Sequence, residues 1–122
     1  MAKTILIVDD SSAIRVSVRM ALTAKGYEVV EADDGKTALT KLDGRKYHLV
    51  ISDVNMPHMD GFTFVQHMKA NAAYKYTPVV MLTTEASPEK KEQGKAVGAK
   101  AWIVKPFVPD QLVAVVAKLV LP

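Results

Sequence analysis

The sequence contains no cysteine. Disulfides, thiol nucleophiles and thiolate metal sites are therefore excluded. Long hydrophobic runs are missing too. The first apolar stretch, Ile5 to Val8, is far too short for a signal peptide or a membrane span, so a cytoplasmic domain without membrane insertion is expected. Neither sign of charge dominates, with 16 Lys and Arg against 13 Asp and Glu, a net +3. No run of Lys or Arg goes beyond a pair such as Lys90-Lys91. That excess permits an acidic partner and gives no argument for direct DNA binding. The glycines at 26, 35, 44, 61, 94 and 98 form neither a Walker A loop nor a dinucleotide fingerprint, which removes the usual nucleotide pockets.

What is present fits one folded domain over 1–122. Apolar residues make up 49% and charged residues 24%, which excludes a disordered chain. A chain of this size buries roughly two-thirds of its unfolded surface. It leaves no room for an effector domain beside it, and a monomer is expected. Short apolar runs alternate with amphipathic stretches. The runs are Thr4–Val8, Tyr27–Ala32, Leu49–Ser52, Val79–Thr83 and Ala101–Val104. They do not alternate apolar with polar, the mark of strands buried on both faces of a parallel sheet.

Helices are expected between and after these runs. Ile14, Val18 and Leu22 form one stripe, with Gly26 as a stop. Asp34 is placed to cap a helix carrying Ala38, Leu39 and Leu42 and ending at Gly44, and Phe62, Val65 and Met68 mark a third. Ser87-Pro88-Glu89 opens a fourth that ends at Gly98. Asp110 is read as the cap of a fifth, with Leu112, Val115, Val116 and Leu119 inward. Five strand–helix pairs predict an α/β doubly wound sheet with helices on both faces. Ligand sites in such sheets lie beyond the carboxyl ends of the strands.

The residues at those ends are Asp9-Asp10, Asp53, Thr83-Thr84-Glu85 and Lys105-Pro106. Core packing gives no reason for this coincidence. Asp9-Asp10 alone would read as a helix cap, Lys105 alone as a solvated amine, and Thr83 alone as an ordinary strand end. Three carboxylates held together repel one another, so one protonates or a cation joins them. Oxygen ligands alone favour a hard divalent ion such as Mg²⁺ over zinc. A lysine on the same rim asks for an anion between it and the metal, and a phosphoryl group supplies one. A carboxylate can carry that group as an aspartyl phosphate. This chemistry alone does not choose which aspartate does so.

These residues, in this order, resemble the receiver domain of two-component response regulators, and within that family its stand-alone CheY-like chemotaxis members. The resemblance rests on Asp9-Asp10, on Asp53-Val54-Asn55-Met56-Pro57-His58-Met59-Asp60-Gly61, on Thr83, and on Lys105-Pro106-Phe107. It covers essentially the whole chain. It implies a flavodoxin-like (βα)5 fold with sheet order 2-1-3-4-5, for which CheY is a standard example. It also implies roles. Asp53 accepts a phosphoryl group from a phosphohistidine of a sensor histidine kinase. Asp10 and Asp53 bind Mg²⁺ directly with the backbone carbonyl of Asn55, and Asp9 acts partly through water. Lys105 pairs with the phosphoryl group, Thr83 hydrogen-bonds it and moves toward it, and the Lys105-Pro106 bond is cis.

Asn55 and Glu85 correspond to positions that set how fast the phosphoryl group is lost, and an amide and a carboxylate there resemble the fast-decaying members. A phosphoryl lifetime of seconds to minutes is the expectation. Trp102 stands where the family usually has Tyr or Phe. That aromatic couples the pocket to the surface of the fourth helix, fifth strand and fifth helix, where output proteins such as the flagellar motor switch dock. Trp102 is either this switch or a core residue whose indole N–H needs a partner. A dedicated phosphatase is a further possible partner. No catalysis is expected beyond the protein's own phosphorylation and autodephosphorylation.

Two other functions compete with the output switch. One is a phosphate sink draining a shared kinase. The other is an Mg²⁺-dependent phosphatase with an aspartyl nucleophile, which would need an Asp-x-Asp motif and a substrate cap. His48, His58 and His67 lack metal-ligand spacing and are read as surface residues. Met56 and Met59 are read as packing. Lys90, Lys91, Lys95 and Lys100 gather on or near the fourth helix, as a solvated face or a docking field. Setting aside Asp9, Asp10, Asp53 and Lys105 leaves 15 bases against 10 acids, so an acidic edge is set into a more basic body.

Overall fold

The computed structural model describes residues 2–120. The strands are β1 (Thr4–Val8), β2 (Glu28–Ala32), β3 (Leu49–Ser52), β4 (Val79–Thr83) and β5 (Ala101–Val104). The helices are α1 (Ser12–Thr23), α2 (Gly35–Lys41), α3 (Gly61–Ala70), α4 (Pro88–Val97) and α5 (Pro109–Leu119), with a short 3-10 turn at Ala72–Tyr74. All strand pairs are parallel and the order is β2-β1-β3-β4-β5. No helix among the described residues is long and apolar enough to cross a membrane.

The inner strands β1, β3 and β4 are apolar on both sides because both sides are covered, while the edge strands β2 and β5 are only partly buried. Leu6, Val8, Val50, Val79 and Met81 pack under α2 and α3, with Phe62, Phe64, Val65 and Met68 above them. Ile5, Ile7, Leu49, Ile51, Val80 and Leu82 face the opposite way, under Val18 and Leu22 of α1 and Leu112 and Val116 of α5. Each such buried side chain contributes about 1.5–3 kcal/mol. Tyr27 falls just outside β2, which begins at Glu28.

Helix ends follow local chemistry in four cases. Ser11, Asp34, Asp60 and Ser87 each accept a backbone N–H of the first turn. Gly98 ends α4 in the left-handed conformation, φ +106°. Two expectations fail. Asp110 does not cap α5. The cap is Val108, which makes no side-chain hydrogen bond, and Pro109 opens the helix with Asp110 in its first turn. Proline sets the first helical dihedral and has no N–H to be capped, so the start moves upstream. α2 ends at Lys41 with cap Leu42, and Gly44 lies beyond it in a left-handed turn at φ +96°.

Candidate functional site

The parallel register delivers the strand ends to one edge, and backbone bonds hold them there. Asp9 N–H donates to the Ala32 carbonyl (3.1 Å), Asp53 N–H to Val8 (2.9 Å) and Lys105 N–H to Thr83 (2.8 Å). The residues that carry chemistry are thus fixed by the sheet itself. One ligand oxygen from each of Asp9, Asp10 and Asp53 lies within 4.8 Å of the others. Asp9 and Asp53 are buried, at 2% and 7% exposure, and Asp10 is exposed.

Lys105 Nζ donates to Asp9 Oδ2 (2.7 Å) and Asp53 Oδ2 (2.9 Å). Its side chain is only 10% exposed, so the solvated-amine reading does not hold. The remaining oxygens are engaged as well: Asp53 Oδ1 accepts from Val54 N–H (2.7 Å) and Asp9 Oδ1 from Ser11 N–H (2.9 Å). Burial pushes the Asp9 carboxyl above its ordinary value, and Asp53 adds to this, while Lys105 and Ser11 oppose it. Burial works against the Lys105 ammonium, but bonds to Asp9 and Asp53 and their charges outweigh it and raise its pKa. The ammonium therefore stays charged. Three carboxylates and one ammonium carry two net negative charges, and all donors are hard oxygens. That set fits a divalent cation such as Mg²⁺.

Thr83 is fully buried, and its Oγ1 accepts from Glu85 N–H (3.2 Å). Asn55 is exposed on the loop after β3, and its Nδ2 donates to Glu85 Oε1 (2.9 Å). These two residues are therefore tied together across the rim. Trp102 Nε1 donates to the Glu85 carbonyl (2.9 Å), so the indole has its partner. Its ring stacks on Phe62 at 6.2 Å between centroids, and the Lys105-Pro106 bond is cis.

Several positioning residues escaped the sequence reading. Arg15 donates to the Asp9 carbonyl (2.7 Å) and pairs with Glu31 (3.3 Å). Its signal is a cation six residues past Asp9, over the first turn of α1. Gly61 opens α3 against the Asp53 carbonyl, and a Cβ there would lie 2.0 Å from that oxygen. Ser52 Oγ donates to the same carbonyl (2.8 Å). His48 is also not a bare surface residue: its Nδ1 accepts from Thr4 N–H (3.0 Å) and it is half-buried. His58 has φ 69° and its Nδ1 lies 3.0 Å from Asp34 Oδ2, while His67 is exposed. Met56 and Met59 are half-buried against the core.

This geometry coincides with a match of residues 5–117 to the response regulator receiver domain. The chain belongs to that family. Chemotaxis protein CheY4 of Vibrio cholerae is similar over nearly the full length of both chains. The two are 49% identical over 98% of this receiver domain and 99% of CheY4, with a TM-score of 0.93. The gliding motility regulatory protein of Myxococcus xanthus is 40% identical over 101 residues, which is 83% of this chain and 13% of that protein. The phosphate regulon transcriptional regulatory protein PhoB of Pseudomonas aeruginosa is 38% identical over 114 residues, 93% of this chain and 50% of PhoB. This receiver domain therefore spans half or less of those two curated relatives.

Proposed function

We propose that this receiver domain is a phosphorylation-controlled switch in a chemotaxis-type phosphorelay. The observation that carries the reading is the gathering of Asp9, Asp10 and Asp53 at one sheet edge, where Lys105 bonds both Asp9 and Asp53. In this reading an Asp53 oxygen attacks the phosphorus of a kinase phosphohistidine. The new bond is O–P, the bond that breaks is N–P, and the electron pair leaves with the imidazole. Asp10, Asp53 and the Asn55 carbonyl would hold Mg²⁺ directly, with Asp9 partly through water. When bound, the ion neutralises phosphoryl oxygens and aligns them on Asp53.

Lys105 then exchanges a carboxylate partner for a phosphoryl oxygen and offsets the added charge. Thr83 turns its hydroxyl from Glu85 N–H toward the same group. Asn55 and Glu85, joined across the rim, would govern the approach of water and hence the lifetime of the acyl phosphate. Movement of Thr83 reaches Trp102 by a short route, because the Glu85 carbonyl holds the indole N–H. Trp102 rests against Gly94 of α4, so a rotation there alters the face of α4, β5 and α5. That face is the proposed dock for an output protein such as the flagellar motor switch. The close likeness to CheY4 over both whole chains supports the chemotaxis assignment.

Capture from a lysate with immobilised protein tests the reading. The beryllofluoride–Mg²⁺ form should retain a target that Asp53→Asn does not, with a change in Trp102 fluorescence. Reversing Lys91 and Lys95 to Glu should weaken that capture and leave phosphorylation intact. A target held equally by Asp53→Asn would overturn the switch, and capture of a kinase alone would point to a phosphate sink.

A further inference from the structure

The end of the sheet opposite the aspartates holds a cleft of about 480 Å³ between the loop before β3 and the loop before β4. That volume lies in the range of built recognition pockets. Arg45, Lys46 and His48 line one side, and Tyr47, Tyr74 and Tyr76 contribute aromatic walls. No acidic side chain lines it among the described residues. The nearest balancing group, Asp43, meets Arg45 only at 4.0 Å with both about half exposed, a pair of little strength. Lys75 stands beside the cleft with its Nζ 5.6 Å from the centre of the Tyr76 ring.

The walls are fixed rather than loose. Tyr74 OH accepts from Gly44 N–H (3.0 Å) and donates to the Arg45 carbonyl (2.7 Å), clamping one loop to the other. Tyr47 OH donates to the Lys41 carbonyl (2.9 Å). His48 is pinned through Thr4. Burial first, and then the charges of Lys3 and Lys46, hold the His48 imidazole below its ordinary pKa, which registers the positive field. Tyr76, in contrast, is 86% exposed at the rim, with the Lys75 ammonium over its ring. None of these residues takes part in the aspartate site.

We propose that this cleft is a second docking site, which takes an acidic, aromatic-bearing extended segment of a partner protein. Carboxylates meet Arg45 and Lys46, and an apolar or aromatic side chain covers Tyr76. The shape favours a peptide over a nucleic acid, which needs a long basic stripe to track its phosphates. A compact notch with a net charge of only +3 on the whole chain does not supply one. The cleft lies at the starts of β3 and β4, whose other ends carry Asp53 and Thr83, so both sites can be filled at once. Docking here is independent of phosphorylation and supplies tethering rather than switching.

The test is amide NMR of the full chain titrated with a synthetic peptide, Gly-Glu-Asp-Phe-Glu-Asp-Gly, at low salt. Saturable shifts should centre on residues 43–48 and 72–78, be equal in the Asp53→Asn protein, and vanish at about 1 M salt, where the screening length is about 3 Å. Arg45→Glu with Lys46→Glu should weaken binding roughly tenfold or more. Tyr76→Ala, at an exposed position that leaves folding alone, should weaken it too. Three results would overturn the proposal. One is no saturable shift at millimolar peptide, another is shifts centred on α4 and β5, and the third is tighter saturation of the same amides by a single-stranded oligonucleotide.

Discussion

At the carboxyl end of the sheet three carboxylates gather, two of them bonded to one ammonium; at the amino end cations and tyrosines meet around a cleft. The two ends are built differently. Asp9, Asp53 and Lys105 sit where strands stop, and each backbone N–H is bonded to a neighbouring strand. Arg45, Lys46 and Tyr76 sit on loops, whose relative position rests on the Tyr74 hydroxyl. The proposed phosphoryl transfer needs the first kind of support, because a carboxylate displaced by an ångström would no longer meet phosphorus in line. A docking cleft tolerates the second, because charge complementarity between two surfaces does not demand in-line geometry.

The comparison predicts larger effects at the carboxyl end. The largest is expected for Gly61→Ala. Its Cβ would lie 2.0 Å from the Asp53 carbonyl oxygen and 3.0 Å from the Val54 Cα, both backbone atoms that cannot swing aside. A loss of about 3 kcal/mol or more is expected in denaturant unfolding. A wild-type midpoint would break the claim that the α3 start is fixed against Asp53. Next is Lys105→Met, which leaves Asp9 and Asp53 without their shared cation. Stability should fall by about 1–3 kcal/mol, discounted from the fully buried case because Asp10 and the rim are wet. Mg²⁺ should bind more tightly, since the net charge of the cluster goes from −2 to −3, and Mg²⁺ titration of Trp102 fluorescence reads this directly.

At the amino end Tyr74→Phe removes one donor and one acceptor from the clamp. A loss of about 1–2 kcal/mol is expected, with the carboxyl-end Mg²⁺ affinity unchanged. A shift in that affinity would show that the two ends are not separate. The smallest effect concerns His48. Burial lowers its pKa from 6.5 in the folded chain. Below pH 6.5 the unfolded chain therefore binds the proton more readily, and stability falls until the folded imidazole titrates. His48→Gln should flatten this slope below pH 6.5, as read by unfolding midpoints.

The two ends also differed in how far the sequence displayed them. Asp9, Asp53 and Thr83 could be read because each ends a run of buried, mainly apolar residues, Lys105 because it follows the apolar β5, and parallel strands share one edge. Hydrophobic runs thus located the edge as well as the core. Where contact depends on chain distant in sequence, the reading stopped. His48 looked like a surface residue because its partner Thr4 is 44 positions away. The bond between Asn55 and Glu85 spans 30 positions, and the role of Gly61 rests on a backbone approach that no side-chain pattern records. Asp110 was misplaced because two start signals stood side by side and Pro109 prevailed. The amino-end cleft left no mark, since basic and tyrosine residues in loops are individually ordinary.

In the proposed switch Asp53 is the phosphoryl acceptor and depends on a divalent cation held beside it. Intact-mass measurement after incubation with phosphoramidate tests it most directly. With Mg²⁺ the native protein should gain one phosphoryl mass and lose it over seconds to minutes once the donor is removed. Asp53→Asn, or native protein with excess chelator, should gain none. Equal labelling of Asp53→Asn, or full labelling in chelator, would contradict the account.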